Sequence, residues 1–430
     1  MITIIVIALL ILLALLGAPI FSVIAAGALY GFYIADIDLM VIGIELYRIA
    51  ETPLLIALPL FTFSGYILSA SKTSKRMLDL IQAMVGWFPG GLVIFAIIFS
   101  TVFTAFTGAS GVTIVALGAL LYPALKQSGY SEKFSLGMVT ASGSLGLLLA
   151  PSLPLILYGI IAQQMDLHTQ FSINDLFIAG LLPSALMIIA LSIYGVFKNR
   201  RFKTGTQKFS SEKLKQAIWA MRWEIPMPFL IVAGIYSGYF AISEASALIA
   251  VYVLVIETLM YKEISLYRLK LIVKESMIMV GGILLILAVS LALTNVFVDA
   301  ELPDRLFELI KENVDGKLQF LILLNIFLLF IGAILDIFSA LVIIVPLILP
   351  VAMSFGVHPV HLGIIFLANM QIGYLTPPVG INLFISSYRF KKPIEEVYKS
   401  SMPFMLILFI VLLMLTYIPE LSLYFILAYE

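Results

Sequence analysis

The chain has 430 residues, 62% of them hydrophobic and 12% charged, with a mean hydropathy of +1.12. No soluble globular class carries that composition, which describes an all-α polytopic membrane protein. Twenty-five basic residues cancel 25 acidic ones, so net charge names no partner and no basic stripe points to nucleic acid; the absence of cysteine removes disulfides, thiol nucleophiles and thiolate metal sites together.

Residues 2–17 lack a basic residue ahead of the apolar run and a small-residue cleavage site, so they read as a first span rather than a signal peptide. Further runs of spanning length follow at 18–35, 53–70, 134–161, 176–197, 225–240, 243–260, 276–298, 361–388 and 402–424, giving about ten spans. Two other apolar regions, 91–122 and 318–353, are each too long for one span and are interrupted near the middle. The first holds Thr107-Gly108-Ala109-Ser110-Gly111, a small polar turn between arms shorter than the roughly 20 residues of a span. The second breaks between Leu335 and Ser339. Both are expected to be re-entrant hairpins, whose tips leave backbone groups unpaired at membrane depth unless protein or water surrounds them. Met77 to Phe88 and Pro303 to Asn313, which precede the hairpins, read as amphipathic helices at the interface. His358 and His361, separated by Pro359, are expected in a surface loop, and Glu244 and Glu257 at the interfacial ends of spans.

Lys198, Arg200, Arg201, Lys203, Lys208, Lys213, Lys215 and Arg222 face only Glu212 in the segment 198–222, which is therefore cytoplasmic. Counting outward from it places the other basic loops inside, the acidic stretches 36–51, 166–175 and 299–315 outside, and both termini outside. That scheme holds only if the hairpins re-enter without crossing, the first from the cytoplasm and the second from the opposite side. The linker 198–224 then separates two halves, 1–197 and 225–430, each with five spans and one hairpin. An odd number of spans turns the second half upside down. Pro123 and Pro350, Gly129 and Gly356, Gly146 and Gly373, and Pro151 and Pro378 stand at the same offset of 227 positions. Two inverted repeats of this kind are a recurring architecture of secondary transporters.

Span 134–161 contains Gly143, Gly146, Pro151 and Pro154, and span 361–388 contains Gly373, Pro377, Pro378 and Gly380. Proline removes backbone donors and cannot continue a regular helix, so both spans are expected to break. Each tip then has the broken helix of its own half as a neighbour, an arrangement that offers carbonyl oxygens to a cation and half-helix N-termini to an anion. The first tip supplies the hydroxyls of Thr104, Thr107, Ser110, Thr113 and Ser142 without Asp, Glu or His, which favours sodium over a divalent ion or a proton. The same hydroxyls also serve helix packing. Asp336, alone among apolar residues at the second tip, is a candidate for substrate or for capping the returning helix. Asn382 can meet a polar substrate group or pair across helices. Together Ser110, Thr113, Ser144, Ser152, Asp336 and Asn382 are the side chains expected around a substrate held between the tips.

At these residues the sequence resembles, over essentially its whole length, the large membrane subunit of the tripartite ATP-independent periplasmic transporters. The resemblance rests on Phe88-Pro89-Gly90-Gly91, Thr107-Gly108-Ala109-Ser110, Pro123 with Gly129-Tyr130, the break from Gly146 to Ser152 with Tyr158-Gly159, Gly332 with Asp336, Pro346 and Pro350, and Gly373-Tyr374-Leu375-Thr376-Pro377-Pro378-Val379-Gly380. It implies a sodium-driven elevator in the bacterial inner membrane, importing carboxylates such as sialic acid or four-carbon dicarboxylates. It also implies two partners outside this chain: a small membrane subunit and a periplasmic substrate-binding protein. Carried over by motif position, sodium would be held by Thr104, Thr107, Gly146, Leu149 and Ala150 in the first half and by Gly332, Gly373, Thr376 and Val379 in the second, many through carbonyls. Ala109 and Gly111 replace residues that are usually serine in the family, and Ala150-Pro151 stands where a double proline is expected, so side-chain ligation at the first tip is the weaker part of that set.

The reading is thus sodium-coupled uptake of a small organic anion without any cofactor. The alternative is a stand-alone sodium- or proton-coupled carboxylate transporter with no binding protein. An enzyme is not expected, because Asp336 has no catalytic partner at depth, and ATP-driven transport lacks a Walker motif.

Overall fold

A computed structural model of the chain describes residues 2–86, 90–165, 171–198, 209–236, 239–312, 314 and 316–427. Trp87, Phe88 and Pro89, the loop 166–170, the linker residues 199–208 with four of its basic side chains, and Asn313 and Asp315 lie outside the described residues. All regular structure among the described residues is helical. The first half runs through α1 (Ile2–Leu15), α2 (Ile20–Ala35), α3 (Met40–Glu51), α4 (Ala57–Ala70), α5 (Thr73–Val85), α6 (Gly91–Thr107), α7 (Ser110–Ala116), α8 (Gly118–Gln127), α9 (Glu132–Ser142), α10 (Leu153–Gln164) and α11 (Ile173–Lys198). After α12 (Ser211–Ala220), the second half runs through α13 (Pro226–Tyr236), α14 (Ile242–Val255), α15 (Leu266–Asp299), α16 (Leu302–Lys311), α17 (Lys317–Ile334), α18 (Ile337–Ser354), α19 (Pro359–Gly373), α20 (Ile381–Phe390), α21 (Ile394–Tyr417) and α22 (Glu420–Leu427).

Both hairpins are present. α6 turns at Gly108, whose φ of 65° is left-handed and whose missing Cβ would lie 2.4 Å from Leu153 Cδ1, so only glycine fits that stop. The return arm is α7 followed by α8, reaching Gln127 rather than 122. α17 and α18 make the second hairpin, with Leu335-Asp336 between them. Both long spans break where proline and glycine demand it: α9 gives way to a 3-10 turn at Leu145–Leu148 before α10, and α19 stops at Gly373 before α20 resumes. By length and composition, eight segments among the described residues are long and apolar enough to cross a membrane, two of them being the arms α17 and α18.

Packing divides the helices into two groups. α15 lies along α2, α3 and α4, and α4 along α14; Gly31 allows this closeness, since a Cβ there would meet Val296 at 2.4 Å. The hairpins, the broken helices, α11 and α21 form the other group. Within it, α6 packs on the 3-10 turn of its own half and α17 on α19, as expected. The return arms do the opposite: α7 packs on α20 and α18 on α10. Each hairpin therefore packs on the broken helix of its own half and also on that of the other half.

Other boundaries also move. The span expected at 276–298 is the C-terminal part of the 34-residue α15. Ser265 caps it by accepting from Arg268 N at 3.3 Å, and at about 1.5 Å per residue the helix extends well beyond a roughly 30 Å hydrocarbon core. The last span begins at Ile394, earlier than 402, and α22 is separate from it. α3 and α12 fall in stretches read as loops. Asp38 accepts from Met40 N at 2.9 Å and Ser210 from Lys213 N at 3.3 Å, so local caps start both helices. His358 and His361 do not form a surface loop. His358 caps α19 by accepting from Val360 N, and His361 is buried against Ser422 Oγ at 2.6 Å.

Glu257 lies near the end of the span Ile242–Met260, as expected from the sequence, but does not face solvent. It is fully buried beside Arg76, whose guanidinium also binds Glu224 at 2.5 Å and Glu263 at 2.7 Å. Thr73 and Tyr261 complete this knot, the hydroxyl of Thr73 donating to Glu257 at 3.0 Å and that of Tyr261 to Glu224 at 2.9 Å. Burial works to lower the Arg76 pKa, but the three carboxylates outweigh it and hold the guanidinium above its ordinary value. The knot fastens the amphipathic α5 to the end of the linker and to α14. α16, the matching helix of the second half, buries none of its residues.

Candidate functional site

The first tip is closed in on all sides. Thr104 and Thr107 are fully buried, Thr113 nearly so, and Ser110 is 5% exposed. Gly146 of the 3-10 turn is pressed so closely on α6 that a Cβ there would lie 2.1 Å from the Thr101 carbonyl and 2.5 Å from Ala105 N. From the other side, Gly65 of α4 touches the tip, with Thr107 Cα 2.6 Å from where its Cβ would stand.

This packing brings Thr104 Oγ1 within 2.8 Å of the Ser100 carbonyl, 2.7 Å of Thr113 Oγ1 and 2.9 Å of the Gly143 carbonyl. Four oxygens thus share the protons of two hydroxyls. If Thr113 donates to Thr104, the Thr104 proton satisfies only one of the two carbonyls. A proton-poor group of neutral oxygens suits a hard monovalent cation such as sodium, so the residues fit the coupling ion implied by the resemblance. The remaining carried-over ligands are close but differently engaged. Thr107 Oγ1 makes only long contacts of 3.4 Å with the Thr104 and Ala109 carbonyls; the Gly146 carbonyl accepts from Leu149 N and the Leu149 carbonyl from Ser152 N, and Ala150 is buried between them. Ser144 and Ser152 donate to the Ala141 carbonyl at 3.4 Å and the Leu147 carbonyl at 2.6 Å. Ser142 contacts Met138 Sδ at 3.7 Å.

At the second tip Asp336 is the N-cap of α18. Its Oδ1 accepts from Phe338 N and Ser339 N, both at 3.0 Å, and its Oδ2 from Ser339 Oγ at 2.5 Å. Gly332 and Gly373 meet backbone to backbone, a Cβ on Gly373 falling 2.4 Å from the Gly332 carbonyl carbon. Gly380 N donates to the Ala333 carbonyl at 3.1 Å. The carbonyl oxygens of Thr376 and Tyr374 lie 2.9 and 3.1 Å from the place a Gly380 Cβ would occupy, so a side chain there would fill a cradle of oxygens. The Thr376 hydroxyl donates to the Ile372 carbonyl at 2.9 Å, which leaves its oxygen lone pairs and the Thr376 carbonyl on offer. Val379 is 37% exposed at the rim of this turn.

Asn382 stands apart from the other substrate candidates. It is fully buried, and neither its amide oxygen nor its amide nitrogen has a partner. It lies in the first turn of α20, whose N-cap Gly380 supplies no side-chain cap. One turn later Ser386 accepts from Thr140 Oγ1 at 2.8 Å, and Ile385 Cδ1 would touch a Cβ on Gly111 at 2.7 Å. α20 therefore lies against the first tip, packed on α7, which also begins without a side-chain cap. A cavity of about 310 Å³ opens beside it, lined by Gly111, Val112 and Ile385 on one side and by Tyr66, Ile272 and Glu275 of the other helix group opposite.

The Ser100 and Gly143 carbonyls could not be found by residue type, because every residue has a carbonyl. The role of Gly65 had a faint signal, a glycine inside an apolar helix. Tyr374 stood in a quoted motif with no role attached.

The family described as the tripartite ATP-independent periplasmic transporter, DctM component, matches residues 4–421. The chain is 32% identical over 410 residues to the isethionate TRAP transporter permease protein DctMQ of Oleidesulfovibrio alaskensis, covering 95% of this chain and 62% of that longer protein. It is 32% identical over 384 residues to the C4-dicarboxylate TRAP transporter large permease protein DctM of Pseudomonas aeruginosa, covering 89% of this chain and 88% of the relative. With the ectoine/5-hydroxyectoine TRAP transporter large permease protein UehC of Ruegeria pomeroyi the identity is 30% over 429 residues and 96% of both chains. The crystal structure of the Alcanivorax borkumensis YdaH transporter, reported to have an unusual topology, shares the fold with a TM-score of 0.63 at 14% identity, covering 87% of this chain and 86% of that one.

Proposed function

The chain belongs to the DctM component family of the tripartite ATP-independent periplasmic transporters, and on that footing we propose that it imports a small organic anion, a carboxylate, coupled to sodium. In this reading a small membrane subunit completes the unit in the inner membrane, both termini face the periplasm, and an extracytoplasmic binding protein delivers the substrate. The observations that carry it are the proton-poor oxygen cluster at Thr104 and the unpaired, fully buried Asn382 amide on α20, the helix that packs on α7. Sodium at the cluster supplies positive charge for an anion. The Asn382 amide supplies a donor that no group among the described residues binds. Ser110 and Thr113 belong to the same wall. Asp336 acts there mainly as a cap.

The second cation belongs at Gly332, Gly373, Thr376 and Val379, held by carbonyls. The hairpins and broken helices travel as an elevator past the group of α1 to α4 and α13 to α15, with the cavity at Gly111 marking the gap between moving and fixed parts. The relatives are named for isethionate, C4-dicarboxylates and ectoine, so identity near 30% does not select a substrate. The test is uptake in proteoliposomes by the chain together with its small subunit and binding protein. Dependence on all three components supports the tripartite reading; uptake by this chain alone defeats it and favours a stand-alone carboxylate transporter.

A further inference from the structure

The first four N–H groups of a helix, from the N-cap onward, have no partner within it, and at the second tip three of them are taken. Phe338 N and Ser339 N bind the Asp336 carboxylate and Ile337 N donates to the phenolic oxygen of Tyr374 at 2.7 Å, while Ala340 N opens the helix's own ladder by binding the Asp336 carbonyl at 3.0 Å. Tyr374 is only 4% exposed and Ile337 2%, so this bond is shielded from water. The amides of the first turn of α18, Ile337 to Ser339, are therefore filled by the protein itself and are not on offer to an anion. The contrast with α7 and α20, which begin with no side-chain cap, is an asymmetry between the two ends of the site.

Tyr374 is also the first residue after α19 stops. Three links thus tie the second hairpin to the break that follows α19: the Ile337–Tyr374 bond, the Gly380–Ala333 bond and the Gly332–Gly373 backbone contact. All three involve the stretches from which the second cation's carbonyls come. Only the first depends on a side chain.

We infer that Tyr374 is a positioning residue for the second cation: its phenol locks the returning helix of the second hairpin onto the broken helix, fixing the carbonyl cradle without touching substrate. The inference rests on the sodium-coupled reading given above for its functional half, and on geometry alone for the lock. Phenylalanine at 374 keeps the ring but cannot accept a hydrogen bond, which orphans the Ile337 amide. An orphaned buried donor lowers the population of the locked tip on the order of tenfold or more. A binding-competent state that is less populated weakens apparent affinity by the same factor.

The structure also supplies the rescue. Ile337 is the first residue of α18, where proline is well tolerated because its missing N–H is an orphan in any case. Asp336 already has φ −71° and ψ 157°, the extended conformation that a following proline requires. Ile337→Pro therefore removes the donor that Tyr374→Phe leaves unpaired.

The experiment uses the complete transporter and measures two quantities in wild type, Tyr374→Phe, Ile337→Pro and the double variant. The first is amide hydrogen exchange in the segment 335–342, and the second is the sodium concentration giving half-maximal uptake. Tyr374→Phe is expected to speed exchange in the tip and to raise the sodium requirement about tenfold, with KM for substrate at saturating sodium unchanged. The double variant is expected to return the sodium requirement toward that of Ile337→Pro alone. Unaltered exchange in Tyr374→Phe overturns the lock. Faster exchange with an unaltered sodium requirement, or a change in substrate KM alone, overturns its role in coupling. If wild type itself shows no preference for sodium over potassium, the sodium reading fails and with it the functional half, while the exchange measurement still decides the lock.

Discussion

Gly146→Ala is the substitution whose consequence is most directly set by geometry. The added methyl would stand 2.1 Å from the Thr101 carbonyl, 2.5 Å from Ala105 N and 2.8 Å from Thr104 Cβ. Two of these atoms are backbone and cannot rotate away. Ordinary contact begins at 3.4 Å, so the 3-10 turn must retreat from α6 by about 3.4 − 2.1 = 1.3 Å. That movement pulls the Gly143 carbonyl away from Thr104 Oγ1, which is 2.9 Å from it, and opens the oxygen cluster. Overpacking of this kind costs about 1–3 kcal/mol of stability. The telling quantity is the gain in melting temperature on replacing potassium by sodium, and it should shrink sharply in Gly146→Ala. Gly137→Ala is the matched control. Its methyl would lie 2.0 Å from the Ser400 carbonyl, an equal clash between α9 and α21 that does not involve the tip. It should lose as much basal stability and keep the sodium response. An equal sodium response in both variants would refute the reasoning.

Asn382→Leu removes two buried polar atoms that bind nothing; it should leave the protein as stable or raise stability by about 1–3 kcal/mol, while uptake is lost, as thermal melts and transport assays together would reveal. Arg76→Met strands three carboxylates that share one guanidinium; breaking a buried pair from one side costs about 3–5 kcal/mol, and Glu257→Gln, measured in the same melts, should cost less. For Asp336, the asparagine variant retains an N-cap and should keep most of its stability, whereas alanine should lose about 1 kcal/mol. Loss of sodium stabilisation in Asp336→Asn would instead assign the charge itself to the ion or substrate.

Much of this fold was legible because membrane insertion leaves few choices. Apolar runs had to be helices, Pro151 with Pro154 and Pro377 with Pro378 had to break them, and Gly108 had to end α6. What could not be read was set by contacts between distant segments. That α7 rests on α20 and α18 on α10 depends on how helices far apart in the chain meet, and no local pattern records it. Hydropathy clipped α15 because Arg268, Lys270 and Lys274 suit a helix outside the bilayer as well as a loop. The pairing of Glu257 was hidden because its partner Arg76 lies 181 residues away. At the site, Thr104 and Asn382 were visible as polar residues among apolar ones. The Ser100 and Gly143 carbonyls that complete the oxygen cluster were not, since backbone oxygens carry no residue signature. The same holds for the Ile337 amide, whose capture by Tyr374 needs the tip and the break to be brought together first.

The central claim is that the oxygen cluster at Thr104 holds a coupling sodium ion. Its most direct measurement is the initial rate of uptake by the complete transporter in proteoliposomes, with an inward sodium gradient or an equal potassium gradient, in wild type and Thr104→Val. Valine preserves the shape and removes the hydroxyl that three oxygens surround. The account predicts sodium-dependent uptake in wild type and a raised sodium requirement in the variant. Equal rates in sodium and potassium, or an unchanged sodium requirement in Thr104→Val, would contradict it.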